Sequence, residues 1–286
     1  MRQNDTSIKN RRISFYFSGI CLFQSLILIL SSRYIDGFAQ WYTENIYPIL
    51  LNTISRAFSG WDFSFFEFGI LLSLLMFCLF SGTIIWNIFI RKSHRKVRFI
   101  SRGLISITAF LVLIYTLTCA INYQRDDIGT VLNLPAEKPS KEKLEKLSEI
   151  LIDDLTSLAE EKNWEYSMLT ANDFAYIEME AVNSMKILGK NEPSLAGYYP
   201  KPKPVYFSEV LSSLGIEGIY SPFTMEANYN TKMTPFLIPY TISHELAHLK
   251  GYMREDDAGF IAYLACKRSP SKLFQYSGAF HALNYT

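Results

Sequence analysis

The residues with the clearest chemical potential are two histidines that flank a glutamate at positions 244–248, His-Glu-Leu-Ala-His. On an α-helix, side chains four positions apart share one face, so His244 and His248 can reach a single metal ion from one turn. Glu245 lies beside them, where it can take a proton from a zinc-activated water. The chain has only 4 histidines, so this spacing rarely arises by chance. We therefore prefer a zinc centre to the alternative, a plain helix with buried or solvated histidines.

A catalytic zinc ion needs a third protein ligand and one open position. Three acidic candidates follow the motif closely, namely Glu255, Asp256 and Asp257. They also suit the first turn of a helix, where negative charge is favoured. Because the three project in different directions, we expect only one to face the metal. Glu255 is preferred and Asp257 is the alternative, and Gly251 permits the chain to reverse between the two helices.

Three uncharged apolar runs, at about 13–32, 68–90 and 103–123, are each long enough to cross a bilayer as a helix. Three such runs in succession predict a membrane anchor over residues 1–125, with the lipid bilayer as a partner. Basic residues cluster before the first run and between the second and third. The positive-inside rule therefore predicts a cytoplasmic N-terminus and an external domain over residues 126–286.

The connection between the first two runs, residues 34–66, is rich in aromatic side chains. It is interpreted as a helix along the outer leaflet, as a lid over the external domain or as an ordinary packed loop. The charges between Lys250 and Asp257 argue against a motif helix inside the bilayer. The metal site is therefore expected in the external domain or at its membrane-facing edge.

The external domain is predicted to be α+β, mainly helical with a small sheet. A polar linker is expected over residues 126–140, and a short helix capped by Ser208 should end near Gly215. Longer helices are predicted over 141–162 and over 175–188, with Gly189 at the C′ position, and strands over 205–207 and 218–230.

Composition narrows the classes of partner. The formal net charge is +1, which gives no reason to expect nucleic acid. The 4 cysteines show neither a disulfide framework nor metal-ligand spacing, and we interpret them as small apolar residues. The remaining partner expected from the motif is a peptide or protein substrate.

Further segments match a known family. They are residues 197–204 (Gly-Tyr-Tyr-Pro-Lys-Pro-Lys-Pro), residues 220–228, the motif with Gly251 and residues 254–258, and Tyr276-Ser277-Gly278. With the three apolar helices, the chain resembles the bacterial domain of unknown function 3810 family over nearly its whole length.

The resemblance implies a multi-pass protein of a bacterial cytoplasmic membrane. It also implies a zincin-like metallopeptidase domain of the glutamate-zincin kind, with one Zn²⁺ per chain and no assigned substrate. In such enzymes a Glu-x-x-Ala pattern begins the helix that supplies the third ligand, and Glu255 to Ala258 fits it. The sequence departs from the family pattern at Asp257 and Gly259, where Glu and Asn are expected. The chain ends soon after Tyr276, so a C-terminal helix is expected to be missing.

Weaker candidates surround the motif. Residues 221–230 are interpreted either as an edge strand that binds the substrate backbone or as a plain core strand. Glu226 and Asn228 are possible polar contacts in the cleft. Tyr276 or His281 is a possible donor to the oxyanion that develops on an attacked carbonyl.

Three functions remain for comparison. The first is a membrane-anchored zinc metallopeptidase. The second is a catalytically inactive surface protein that binds peptides or uses its metal structurally. The third is a metal-dependent hydrolase of another bond. The intact Glu245 favours an enzyme, because a structural metal site does not need a base at that position.

Overall fold

The computed structural model describes residues 2–90, 94–135, 138–161 and 170–285. Its helices are α1 (Arg2–Tyr34), α2 (Phe38–Asn45), α3 (Tyr47–Leu50), α4 (Arg56–Ser59), α5 (Phe65–Ile85), α6 (His94–Tyr115), α7 (Ile128–Val131), α8 (Lys141–Glu161), α9 (Ala171–Leu188), α10 (Ser208–Ser213), α11 (Ile238–Leu249), α12 (Glu255–Arg268) and α13 (Lys272–Leu283). Its strands are β1 (Lys203–Val205), β2 (Gly218–Ser221) and β3 (Glu226–Asn230).

Three helical segments are long and apolar enough to cross a membrane: Arg12–Tyr34, Phe65–Ile90 and Lys96–Gln124. We call them the first, second and third spans. Each contains one of the predicted apolar runs, so that part of the prediction is confirmed. The second span ends in a π-helical turn, and the third continues through a π-helical turn and a 3₁₀ turn. Arg91 and Lys92, which the predicted orientation used, lie outside the described residues.

The first and third spans pack against each other. The Ser106 hydroxyl lies 2.7 Å from that of Ser14 and 3.0 Å from that of Ser18, and the rings of Phe17 and Phe110 stack. Among the described residues, α5 of the second span has no buried side chain. The second span therefore lies largely apart from the other two.

The connection between the first and second spans is helical and packed. Its Tyr42, Tyr47 and Leu51 side chains are buried in the same hydrophobic core as α11 and α12. The Tyr47 hydroxyl donates a 3.0 Å hydrogen bond to the carbonyl oxygen of Leu249. Of the three interpretations, the packed segment describes this arrangement, and among the described residues none from 34–66 lines the cleft described below.

The sheet has the order β1–β3–β2, with β1 parallel and β2 antiparallel to β3. The prediction of one strand over 218–230 was wrong, because a turn at residues 222–225 divides it into a hairpin. Met225 occupies the turn with φ 50° and donates its N–H to the carbonyl oxygen of Ser221. β1 also begins two residues earlier than predicted. Consequently β3 is central and fully buried, and β2 lies at an edge.

Local capping explains the other differences from the predicted elements. α9 begins four residues early because Thr170 and Asp173 form a reciprocal capping box. Gly189 lies at the C-cap with φ −64°, and a Cβ there would lie 2.7 Å from the Leu195 carbonyl oxygen. Ser208 is the first residue of α10 rather than its cap. α8 is described to Glu161, and Lys162 lies outside the described residues.

One hydrophobic core joins the two regions that the sequence analysis separates at residue 125. Ile121 at the end of the third span and Ile128 on α7 are both buried in it, although the second falls in the predicted linker. Tyr252 and Phe274 are fully buried in the same core. The membrane-side segments therefore support the helices that carry the motif.

A buried ion pair joins the sheet to the beginning of the second span. Lys203 Nζ lies 2.6 Å from Glu226 Oε1, and the two side chains are 2% and 3% exposed. The Glu226 carboxylate also accepts the backbone N–H groups of Phe65 and Phe66 in the first turn of α5. The prediction of Glu226 as a cleft contact was wrong, since its carboxylate is fully used by this junction.

We predict that Lys203→Met lowers the free energy of unfolding by about 3–5 kcal/mol, because it leaves the Glu226 carboxylate buried without a counter-charge. The matched control is Lys232→Met, which breaks an exposed pair with Glu209 and should cost about 0–1 kcal/mol. Denaturant unfolding of both variants in the same detergent checks this. Equal costs would show that the buried pair is not a stabilising junction.

Candidate metal centre

The motif helix α11 is buried on nearly all sides. The Tyr240 backbone N–H donates to the Ser277 hydroxyl on α13. The Ser243 hydroxyl donates to the carbonyl oxygen of Pro239 in its own helix. His244 is partly exposed, and it faces a cleft. The packing therefore fixes which face of α11 meets solvent.

The chain reverses between α11 and α12 at residues 250–254. Gly251 has φ 85°, which favours glycine, and a Cβ there would lie 3.1 Å from Asn122 Nδ2. Arg125 donates to the Lys250 carbonyl oxygen, and its guanidinium lies 3.6 Å from the centre of the Tyr252 ring. We call residues 250–254 the reversal. It brings the first turn of α12 back over the motif face.

The reversal places Glu255 opposite both histidines. Glu255 Oε2 lies 3.0 Å from His244 Nε2, and Oε1 lies 3.6 Å from His248 Nε2. One ligand atom from each of these residues lies within 4.8 Å of the other two. Two imidazole nitrogens and one carboxylate match the donor set of catalytic zinc sites with one open position. The side chains present therefore fit a zinc ion.

The surroundings of His248 also fit ligation. Its Nδ1 lies 2.8 Å from the Tyr252 carbonyl oxygen, so Nδ1 carries the proton and Nε2 is left unprotonated towards Glu255. Burial, and then the neighbouring His244, lower the pKa of His248 to about 4. A neutral imidazole at neutral pH is the form that binds metal.

Asp257, the alternative ligand, is used elsewhere. Its carboxylate accepts the Ile128 backbone N–H at 2.9 Å and the Arg254 Nε–H at 2.8 Å. It is buried, and it is not part of the cluster that His244 and His248 form with Glu255. Asp256 is exposed and lies outside the cluster. The geometry thus selects Glu255 among the three acidic candidates.

Glu245 is buried beside the edge strand β2. Burial, and then the charge of Glu255, raise the pKa of Glu245 well above its ordinary value, although the Tyr220 backbone N–H donates to it. A Cβ on Gly218 would lie 2.6 Å from Glu245 Oε1 and 2.8 Å from its Cγ. Glycine at position 218 is therefore what lets the strand approach this carboxylate so closely.

These residues face a cleft of about 600 Å³. The motif helix forms one wall, and residues 215–220 form the second. The third wall comes from the third span, through Tyr115, Cys119 and Tyr123. Sequence reasoning missed this wall because a single sequence does not show that the end of the third span packs beside the motif helix. It also missed Gly218, although a glycine inside a strand pattern is a signal of close backbone approach.

Of the two candidate oxyanion donors, His281 and Tyr276, only His281 is among the residues that line the cleft. His281 lines the cleft, its ring stacked 3.9 Å from that of Tyr240, and its Nε2 is buried with no hydrogen-bond partner in the described part of the chain. Burial, and then His244, lower the pKa of His281 to about 4. Tyr276 packs edge-on against Phe236 instead, outside the cleft lining.

Asn228 also lies outside the cleft lining. It is buried in the central strand β3, and its amide donates to the carbonyl oxygens of Ile219 and Glu226. The strand that borders the cleft is β2, whose second edge is unpaired among the described strands. The edge strand beside the cleft is therefore β2, whereas residues 221–230 mostly form a turn and the central strand β3.

We predict that Gly218→Ala costs about 1–3 kcal/mol of stability, because the new methyl group must displace the buried Glu245 carboxylate. In a Glu245→Ala background the same change should cost far less. A double-mutant cycle of denaturant unfolding measures this coupling, with Gly60→Ala, where a Cβ meets nothing within 4 Å, as the control. An unchanged cost in the Glu245→Ala background would contradict the contact.

Lys250 provides a pH-dependent test of the reversal. Its ammonium donates to the Ala196 carbonyl oxygen and lies 4.2 Å from the Tyr199 ring centre. Burial lowers its pKa from 10.5 to about 8, so the unfolded chain binds more protons between these values. Stability should therefore rise with pH from about 8 towards 10, by up to roughly 3 kcal/mol. Lys250→Met should abolish that rise, and an identical rise in both proteins would contradict a buried Lys250.

One known protein family matches most of the chain. Residues 42–286 match a family described as "Protein of unknown function (DUF3810)". Neither curated proteins nor solved structures gave a match to the chain. The match takes in most of the connection between the first two spans, the second and third spans, the reversal and every candidate ligand. Since it covers far more than half of the sequence, the chain belongs to the DUF3810 family.

Proposed function

We propose that the chain is a membrane-anchored zinc metallopeptidase with its catalytic domain on the outer side of the membrane. The observation that carries this proposal is the convergence of His244, His248 and Glu255 beside a buried Glu245, in one open cleft. The predicted orientation comes from the basic residues that flank the spans. A structural zinc site is normally closed by four protein ligands, whereas the described residues bring three to this cluster.

The zinc ion would be held by His244, His248 and Glu255, and it would act as a Lewis acid towards water and the substrate carbonyl. The Tyr252 carbonyl oxygen orients His248 for that role through Nδ1. The burial of His248 keeps it neutral at neutral pH. The chain itself therefore prepares the ligands before any metal binds.

Glu245 is the group that moves the proton. Its carboxylate takes a proton from the attacking water and delivers it to the leaving amine. A general base works best when its pKa lies near the working pH, and burial together with Glu255 raises the pKa of Glu245 in that direction. Gly218 permits the edge strand to press against this carboxylate and fix its position.

The unpaired edge of β2 provides a way to hold an extended peptide. β3 occupies one side of β2, and Gly218 to Tyr220 border the cleft. A substrate backbone that adds to this edge as a further strand would run past the histidines. His281 lines the same cleft, and its Nε2 has no hydrogen-bond partner among the described residues, so the neutral ring is a candidate donor to a developing oxyanion.

The proposal predicts about one zinc per full-length chain by elemental mass spectrometry. His248→Ala and Glu255→Ala should lose the metal, whereas Asp257→Asn should retain it, because Asp257 is bonded to Ile128 and Arg254. Glu245→Gln should also retain zinc but hydrolyse a mixed peptide library roughly 10²–10⁴-fold more slowly than the wild type.

Each result has a contrary outcome. Zinc retained in Glu255→Ala but lost in Asp257→Asn would reverse the ligand assignment. Full activity in Glu245→Gln would exclude Glu245 as the base. A zinc-loaded wild type that binds library peptides without cutting them would favour the inactive peptide-binding alternative. Cleavage of a non-peptide bond alone would favour the other hydrolase.

A further inference from the structure

The third span supplies a wall of the cleft that the proposed chemistry does not use. Tyr115, Cys119 and Tyr123 line it, and these residues lie on the last part of Lys96–Gln124. From Tyr115 to Tyr123 the helix rises by about 12 Å. A catalytic cleft in a domain held well above the membrane would have no such wall.

The depth of this wall follows from the length of the apolar run. The last basic residue before it is Arg102, and a hydrocarbon layer of about 30 Å takes up about 20 residues of helix. The boundary of that layer therefore falls near Tyr123. Tyr115 then lies on the order of 10 Å below the boundary, at the level of the acyl chains. The lower part of the cleft reaches into the bilayer.

The opposite rim of the cleft also meets the membrane surface. The backbone N–H groups of Tyr206 and Phe207 donate to the Glu67 carboxylate in the first turn of the second span. This loop therefore lies at the level where the second span enters the bilayer. Tyr206 is 86% exposed and Leu214 is 66% exposed. Leu214 is followed directly by Gly215, the first residue of the cleft wall.

Phe207 and Val210 are exposed as well, so four large side chains within residues 206–214 face outward, and such a cluster is favourable at a membrane interface. Both rims of the cleft therefore contact the same layer of lipid, one through the third span and one through residues 206–214. Within the described residues α5 of the second span has no buried side chain, so most of its surface is free to contact lipid. The cleft therefore has the third span as one wall, and the segment that follows the loop held by the start of the second span as another.

From this arrangement we infer that the substrates are polypeptides anchored in the same bilayer, cut within a few residues of the point where they leave it. The inference rests on the proposed peptidase function and adds its substrate class. Hydrolysis consumes one water and releases a carboxylate and an amine, so it requires no further reactant. Anchoring confines the substrate to the membrane plane, which raises its effective concentration at a cleft in that plane.

The membrane placement can be tested without activity. A fluorophore attached at Leu214→Cys, in a Cys78→Ser background that removes the exposed native thiol, is compared with the same label at Lys141→Cys on α8. In vesicles with nitroxide-labelled lipid acyl chains, we expect strong quenching at position 214 and little at position 141. Equal, weak quenching at both positions would overturn the inference.

The substrate class is tested with the zinc-loaded full chain in proteoliposomes. The probe is a degenerate ten-residue segment in three forms: joined directly to one Leu/Ala transmembrane helix, joined to it through a long Gly/Ser spacer, and free in solution. The directly joined segment should be cut at least tenfold faster than the other two, with Glu245→Gln as the blank. Equal rates for the three forms would overturn this inference alone. No cleavage of any form would overturn the peptidase function itself.

Discussion

The whole candidate centre depends on the reversal between α11 and α12, because its three donor side chains come from two consecutive helices. Gly251 turns the chain in the left-handed region, and the Tyr252 carbonyl oxygen orients His248 from inside the turn. Residues from the membrane side hold the turn in place: Tyr47 binds the end of α11, and Arg125 binds the next carbonyl oxygen and covers the Tyr252 ring. The segments that adjoin the spans are therefore part of the framework of the site.

The centre that this reversal builds places two carboxylates, those of Glu245 and Glu255, close enough to repel each other when both are charged. Glu245 is buried, and its ionised form is opposed both by desolvation and by the charge of Glu255. The close approach of Gly218 restricts how far that carboxylate can move. A divalent cation among the donors would stabilise both carboxylates. The protein thus maintains an unfavourable local environment of the kind that functional sites often contain.

The sequence predicted the elements whose signals are local. The spacing of His244 and His248, the acidic turn at Glu255 and the lengths of the spans required no tertiary information. The fate of Glu226 and Asn228 could not be predicted in the same way, because it depends on which strand is central and where Lys203 lies across the sheet. The wall formed by the third span likewise results from long-range packing, which a single sequence does not record.

We propose that His244, His248 and Glu255 together bind one zinc ion. X-ray absorption at the zinc edge, measured on the full-length protein in lipid, tests it most directly. We expect two imidazole nitrogens at about 2.0–2.1 Å from the zinc ion, with oxygen completing the shell. A shell that contains sulfur at about 2.3 Å, or that lacks the scattering of two imidazoles, would contradict it.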